Sequence, residues 1–407
     1  MTSDPTSPRS PIGAKLASSL STAFTVASPS TATGTHEQVP PSLARMVDQV
    51  KSARSSRSPL LIRGGGSKDF FGEPMHVNPA KAAPGTVLDM KDHAGIVSYE
   101  PSELVVTARG GTSLVELEAA LAEKGQCLAF EPPHFGPGTT VGGMVAAGLS
   151  GPARAAVGSV RDFILGARLL NGKGELLSFG GTVMKNVAGY DVARVLSGSM
   201  GTLGAICEVS LKVLPIAPAT LTLRLEMDEA HALERLNAWA ASPLPLNASV
   251  FWDGTLALRL RGAQQAVSAA ARTIGGEVID ATFAKSFWRG LRDHTDEYFA
   301  AARHAVKQGV TLWRLSLPQT APPLGLPGEL MIEWGGAQRW LCTSASAQSL
   351  RDAAKALGGH ATQFRAMDKS AGVFTPLEAP LDKIQRDIKK AFDPAGIFNP
   401  GRLYPQL

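Results

Sequence analysis

The sequence predicts an α+β protein built in two lobes behind a loose N-terminal tail. Three observations predict it. Strand-like runs follow one another without the regular strand–helix alternation of a doubly wound parallel sheet. Two prolines, Pro215 and Pro218, close the first series, and a second series of strands and helices starts directly after them. The 407 residues are 44% hydrophobic and 18% charged, which suits a folded chain with more than one core.

Residues 1–40 are rich in Ser, Thr and Pro and read as a flexible tail. Arg9 and Lys15 precede a weakly apolar patch there, but Ser and Thr interrupt it too often for a secretory signal. Leu43, Met46, Val47 and Val50 then recur at helical spacing. Residues 59–63 read as a buried strand that stops at Gly64. Residues 85–90, 95–100 and 103–109 are three more strand-like runs bounded by Gly, Pro and Asp. A helix follows, with Ser113 and Glu116 at capping-box spacing, Leu114, Leu117 and Leu121 on one face, and Gly125 as its stop.

The glycine-rich stretch 131–151 is too punctuated for a simple helix or strand. Beyond it, 164–170 and 175–179 form a hairpin around a turn at Asn171–Gly174, and 201–215 carries a further strand. Past Pro218, strands at 219–227, 311–318 and 338–344, a hairpin turning at Asp253–Gly254, and helices at 228–242 and 262–276 compose a second α+β domain over 216–390. Its expected form is an antiparallel sheet with helices on one side. The final segment, 391–407, is too turn-rich for a helix and too apolar for a solvent tail, so it is expected to pack back on the first domain, 41–215.

Composition narrows the function. A net charge of +5 with no dense Lys/Arg run argues against nucleic-acid binding. No apolar stretch reaches the length of a membrane span. The three cysteines, Cys127, Cys207 and Cys342, stand far apart, fewer than the four thiolates an ordinary iron–sulfur cluster takes, and they fit a reducing compartment. The eight histidines form no HxxH or HExxH pattern, so no metal site is expected.

The chemistry-bearing signal is glycine. A strand runs into Arg63, Gly64, Gly65, Gly66, Ser67 and Lys68. Residues without Cβ let several N–H groups converge on one anion, and Arg63 and Lys68 add charge. A tight turn is the competing reading. Two nucleotide loops fail on spacing: the Rossmann fingerprint would need glycine where Asp69 stands, and the P-loop needs Gly-Lys-Ser where the order is Gly66-Ser67-Lys68. A second run from Phe135 to Gly151 holds six glycines among small residues, a path along which an elongated ligand can lie. Two such runs in one unit suit the two ends of a dinucleotide. A further echo, Arg109-Gly-Gly-Thr-Ser113, repeats the first loop in part, and chance explains it well in a chain with 42 glycines.

These two runs, the hairpin 158–181, the segment "KNVAGYDVARVLSGSMGTLGAICEVSLKVLP" and "FDPAGIFNPGRLY" occur in order. Together they resemble the FAD-binding domain of the vanillyl-alcohol oxidase / p-cresol methylhydroxylase class, and within it the FAD-binding subunits of bacterial glycolate oxidase. The resemblance implies a two-subdomain PCMH-type FAD-binding domain followed by a smaller α+β domain. It implies that Gly64, Gly65, Gly66, Ser67 and Lys68 wrap the FAD pyrophosphate. Pro137, Gly138, Thr139, Thr140, Gly142 and Gly143 would line the pyrophosphate and flavin path, with Ala147 and Gly148 beyond them, and the backbone of Ile206 would meet the adenine side. Met144, Ala147 and Gly148 depart from an Asn and a Thr-Asn in the family's run, which removes polar side chains there. Relatives with covalent flavin carry His at the slot of Ser67, so noncovalent FAD is expected.

The resemblance also implies partners: a catalytic flavoprotein subunit, whose His-x-Gly-Asp-Gly-Asn-x-His metal motif has no counterpart here, and an iron–sulfur subunit. The expected activity is glycolate to glyoxylate, with this chain relaying electrons in the cytoplasm or on the inner face of the membrane through its partners. Two alternatives stand beside it, a self-sufficient FAD-dependent 2-hydroxy-acid dehydrogenase and a non-redox structural subunit. Should the chain act on substrate itself, His134 is the candidate base, Lys185 the candidate contact to a flavin carbonyl, and Arg402 the candidate carboxylate clamp.

Overall fold

The computed structural model describes residues 40–75, 83, 85–182 and 191–407. Residues 41–407 form one compact unit with two lobes of sheet. The first lobe carries β1 (Leu61–Arg63), β2 (Val87–Asp89), β3 (Ile96–Glu100), β4 (Val105–Arg109), β5 (Gln126–Cys127), β6 (Ile164–Leu170), β7 (Leu176–Gly180), β8 (Ala205–Lys212) and β9 (Leu214–Pro215). Here β1 and β2 pair in parallel, while β3-β4-β8-β6-β7 make an antiparallel sheet.

The second lobe carries β10 (Ala219–Glu226), β11 (Leu246–Trp252), β12 (Thr255–Gly262), β13 (Glu277–Val278), β14 (Thr311–Ser316), β15 (Glu329–Glu333), β16 (Gln338–Thr343) and β17 (His360–Arg365). They form one sheet ordered β13-β10-β12-β11-β15-β16-β14-β17, with every pair antiparallel.

Local chemistry explains most element ends. In the helix Leu114–Glu123 the three leucines at 114, 117 and 121 are buried in the core of the first lobe, as their spacing requires. Ser113 stands at its N-cap but makes no side-chain cap bond; the capping box of this lobe lies instead at Ser159, whose N–H and hydroxyl both donate to Asp162. The hairpin of β6 and β7 turns on Asn171, whose side-chain oxygen accepts from the N–H groups of Lys173 and Glu175, with Gly174 at φ +81°.

Several elements differ from expectation. The stretch 131–151 contains a helix, Val141–Ala147, capped by Thr140, whose hydroxyl accepts from the Gly143 N–H. Glycine is a poor helix former, but at Gly142 a Cβ would lie 2.9 Å from the Gly110 carbonyl oxygen, so close packing outweighs propensity. The second lobe holds three unforeseen helices before residue 381: Ala281–Asp293 and Glu297–Lys307, capped by Asp280 and Asp296 and separated at His294, which is left-handed at φ +55°, and Ala347–Ala356, capped by Ser346. The chain returns to the first lobe before residue 391: in the helix Leu381–Phe392, Ile388 packs on the first lobe's core and Lys389 donates to the Thr202 carbonyl at 2.7 Å, ahead of Phe392 against Phe179.

An apolar seam joins the lobes. Phe71, Ala147, Leu149 and Met200 of the first pack with Trp288, Phe299, Trp340 and Phe364 of the second.

Candidate functional site

Where β1 ends, the chain turns into Gly64–Lys68 and meets the start of the helix Val141–Ala147. The approach is backbone to backbone. A Cβ on Gly65 would sit 1.6 Å from the Gly138 carbonyl oxygen, and one on Gly64 would sit 2.3 Å from Thr140 Oγ1. Gly66 adopts φ +75°, where an L side chain is strained, and the Arg63 side chain folds over it. The N–H groups of Gly65, Gly66 and Ser67 donate to no acceptor among the described residues. That is the geometry of an anion nest.

Two continuous clefts border this loop. One of about 100 Å³ is lined by residues 61–69 together with Thr140, Gly143, Ala146, Ala147, Met200, Asn399 and Arg402. The other, about 70 Å³, shares Gly64, Thr140, Gly143, Ala146, Met200 and Asn399 and extends to Met90, Gly142, Gly201, Gly204 and Ile206. Gly110 packs against two residues that line it: a Cβ on Gly110 would lie 1.9 Å from the Ile206 carbonyl oxygen, and one on Gly142 would lie 2.9 Å from the Gly110 carbonyl oxygen. Both arginine–glycine loops reach Thr140: Gly64 packs on its side chain, and Ser113 forms a β-bridge to it.

Of the expected cofactor residues, Arg63 to Lys68, Thr140, Gly143 and Ala147 line the first cleft, and Gly142 and Ile206 the second. Gly138, Thr139 and Gly148 take part through packing: Thr139 Oγ1 lies 2.7 Å from Ser67 Oγ, and a Cβ on Gly148 would meet Gly198 at 2.8 Å. Pro137 is exposed and lines neither cleft. Arg63 is held by Asp69 through Nε and Nη2 at 2.9 and 2.8 Å, so its charge is already matched. Lys68 differs. Among the described residues its ammonium reaches only the hydroxyls of Ser67 and Thr139, at 3.4 and 3.5 Å, and burial draws its pKa down to about 7 against the pull of Asp293.

The catalytic candidates are held by other groups. His134 Nε2 lies 2.9 Å from Glu118 Oε2, and its N–H donates to Asp293. Arg402 is buried and donates to the carbonyl oxygens of Lys68, Asp69, Phe71 and Glu73, so it anchors the chain around the glycine loop. Lys185 lies outside the described residues. Two site residues were not foreseen. Asn399 accepts the Ile62 N–H at 2.8 Å and donates to the Met200 carbonyl at 2.7 Å, and Met200, at φ +54°, lines both clefts. The signal for Asn399 was its place in a turn-rich terminal segment too apolar for solvent.

N–H groups unpaired among the described residues, glycines in backbone contact and a half-buried lysine with no carboxylate partner among those residues fit the pyrophosphate of an extended dinucleotide.

A family model described as an FAD binding domain matches residues 39–180. The chain is 46% identical over 362 residues to the glycolate oxidase subunit GlcE of Escherichia coli (strain K12), covering 89% of this chain and 97% of that protein. It is 33% identical over 139 residues to a D-lactate dehydrogenase of Anaerostipes hadrus, 34% of this chain and 29% of that one. It is 30% identical over 168 residues to the glycolate oxidase subunit GlcD of Bacillus subtilis (strain 168), 41% of this chain and 34% of that one. Among solved structures, an alkyldihydroxyacetonephosphate synthase superposes with a TM-score of 0.59 at 16% identity, covering 89% of this chain and 75% of that one.

Proposed function

Since the chain belongs to the family of the glycolate oxidase subunit GlcE, we propose that it is the FAD-binding subunit of a multi-subunit oxidase converting glycolate to glyoxylate. It is an FAD-dependent oxidoreductase subunit with a PCMH-type fold. Within the complex it relays electrons between a catalytic flavoprotein subunit and an iron–sulfur subunit. Similarity running along nearly the whole length of one such subunit, with the glycine cradle intact, is the observation that carries the reading.

Bound FAD supplies reversible electron acceptance. The chain's own residues do the rest. Gly64–Ser67 present N–H groups to the pyrophosphate, Lys68 adds a positive charge beside them, and Arg402 and Asn399 hold the loop from the carboxyl-terminal side. Ser67 carries no nucleophilic nitrogen, so binding is noncovalent. His134 and Arg402 are taken up by Glu118 and by backbone carbonyls, which supports a relay over unaided oxidation. Among the described residues no helix is long and apolar enough to cross a membrane. We place the subunit in the cytoplasm, reaching the membrane's inner face through its partners.

The test uses the chain alone, saturated with FAD and mixed anaerobically with glycolate. The relay reading expects an unbleached flavin band near ~450 nm until the catalytic partner is added. Bleaching without the partner would establish a self-sufficient dehydrogenase, and failure to take up added FAD would leave a structural subunit.

Lys68 makes a pH prediction. In the folded chain without an anion it loses its proton near pH 7, whereas unfolded lysine keeps it to about 10.5. The unfolded state therefore binds more protons between those values, and stability of the FAD-free chain rises with pH across that window. FAD's pyrophosphate favours the protonated form, so affinity should fall by up to about tenfold per pH unit above 7. Titrating FAD from pH 6 to 9 checks this, and Lys68→Met should flatten the profile.

A further inference from the structure

The loop that starts in the anion nest ends inside the second lobe. Its first half, Gly64–Lys68, borders the two clefts, and among the described residues neither cleft is lined by any residue from 216 to 380. Its second half turns away from them. Phe71 is buried against Phe364 and Phe374, with ring centroids 5.2 and 5.8 Å away. Phe70 meets Phe364 at 5.6 Å, and the Arg365 guanidinium lies 3.4 Å from the Phe70 ring centroid. Two turn bonds join the halves: the Asp69 N–H donates to the Gly66 carbonyl at 3.1 Å, and the Phe71 N–H to the Lys68 carbonyl at 3.0 Å.

Two cations hold the backbone of the second half. Arg402 takes the carbonyl oxygens of Lys68, Asp69, Phe71 and Glu73. Lys369 takes the two between: its ammonium donates to the Phe70 carbonyl at 2.5 Å and to the Gly72 carbonyl at 2.9 Å. Arg402 belongs to the terminal segment, whereas Lys369 belongs to a strap, residues 368–374, that follows β17 in the second lobe. The strap is fixed from its own side. Arg351 donates to the Ala371 and Gly372 carbonyls at 2.8 and 2.6 Å, and the Gln363 N–H donates to the Val373 carbonyl at 2.8 Å. Toward the loop, the Val373 N–H donates to Glu73 Oε1 at 2.6 Å.

A charge at Lys369 is costly to keep. Burial, with Arg402 and Arg365 adding to it, draws its pKa down to about 8 against the pull of Glu73. An apolar side chain would avoid that cost but would strand two carbonyl oxygens of the loop. Those carbonyls and the N–H groups of the nest share one short, internally bonded stretch, so neither set moves without the other. We propose that Lys369 is a positioning residue for FAD, coupling occupancy of the pyrophosphate nest to the strap of the second lobe through the loop 64–73. Such coupling is reciprocal: FAD in the nest steadies the strap, and a loosened strap weakens FAD. The inference rests on the FAD reading of the nest and is independent of the electron relay.

The experiment uses the full-length chain and measures FAD affinity by flavin fluorescence and backbone hydrogen exchange by mass spectrometry, with and without saturating FAD. In the wild type, FAD should slow exchange both in the nest, 64–68, and in the strap, 363–374. Lys369→Met should lower FAD affinity about tenfold. Once saturated, this variant should keep the slowing in the nest and lose it in the strap, and Lys369→Arg should recover part of both effects. A lysine that only stabilised the fold would leave the strap's response to FAD in place. If Lys369→Met does not fold, Glu73→Met, which removes the acceptor of the Val373 N–H, carries the same expectation. Undiminished affinity in a folded Lys369→Met, an equal strap response in variant and wild type, or a wild-type strap indifferent to FAD while the nest is protected would each overturn the coupling. A wild-type chain in which added FAD protects neither segment would overturn the flavin reading and the coupling together.

Discussion

Gly65→Ala should abolish tight FAD binding. The added methyl would stand 1.6 Å from the Gly138 carbonyl oxygen, and backbone cannot rotate aside as a long side chain does. The two glycine runs must part, and the nest formed by Gly65, Gly66 and Ser67 loses its partner wall. Overpacking a closely fitted site costs about 1–3 kcal/mol, and the bound cofactor bears the misalignment as well, so affinity should fall at least about a hundredfold. FAD titration monitored by flavin fluorescence checks this. Gly181→Ala is the matched control: nothing among the described residues stands within 4 Å of its added Cβ, and it should bind FAD like the parent chain. Equal affinities in the two variants would remove the cradle from the account of this protein.

The second large effect lies outside the cradle. Lys389 is buried and donates to Asp393 Oδ2 at 2.7 Å, to the Thr202 carbonyl at 2.7 Å and to the Phe398 carbonyl at 2.8 Å. Asp393 Oδ2 also accepts the Phe398 N–H at 2.7 Å. The pair ties the helix Leu381–Phe392 to the segment that carries Asn399 and Arg402 to the glycine loop. Lys389→Met leaves the Asp393 carboxylate buried and unpaired, which should cost about 3–5 kcal/mol of stability, read as a lower midpoint in urea unfolding. FAD affinity should fall too, because the loop loses its carboxyl-terminal brace. Adding Asp393→Asn removes the stranded charge and keeps an acceptor for the Phe398 N–H, so the double variant should regain most of the loss. If the single variant unfolds at the parent's urea concentration, the network is not a brace.

Some of this was legible residue by residue. Leu114, Leu117 and Leu121 announce their helix because spacing alone sets which face is buried, and Asn171 with Gly174 announces its turn because the pattern is local. The helix at Val141–Ala147 was not legible, since its glycines read as breakers until the Gly110 backbone lies against them. The two helices around His294 were missed for a related reason: aspartate caps and a left-handed histidine divide a stretch whose apolar face is completed only by the second lobe's sheet.

The sequence by itself determined the kind of cofactor site, because the absence of a Cβ is a property of residue type and two glycine runs in one unit already limit what can approach the backbone. Only the tertiary structure decided which charged side chains are available. Arg402 looked like a clamp, yet its guanidinium is taken up by carbonyl oxygens more than three hundred residues earlier in the chain; His134 looked like a base, yet it leans on Glu118. Arg314, unremarked in the sequence, lines a cleft at the lobe seam with no carboxylate within ion-pair distance among the described residues. Availability depends on what folding brings within hydrogen-bond reach, and those partners lie on elements far apart along the chain.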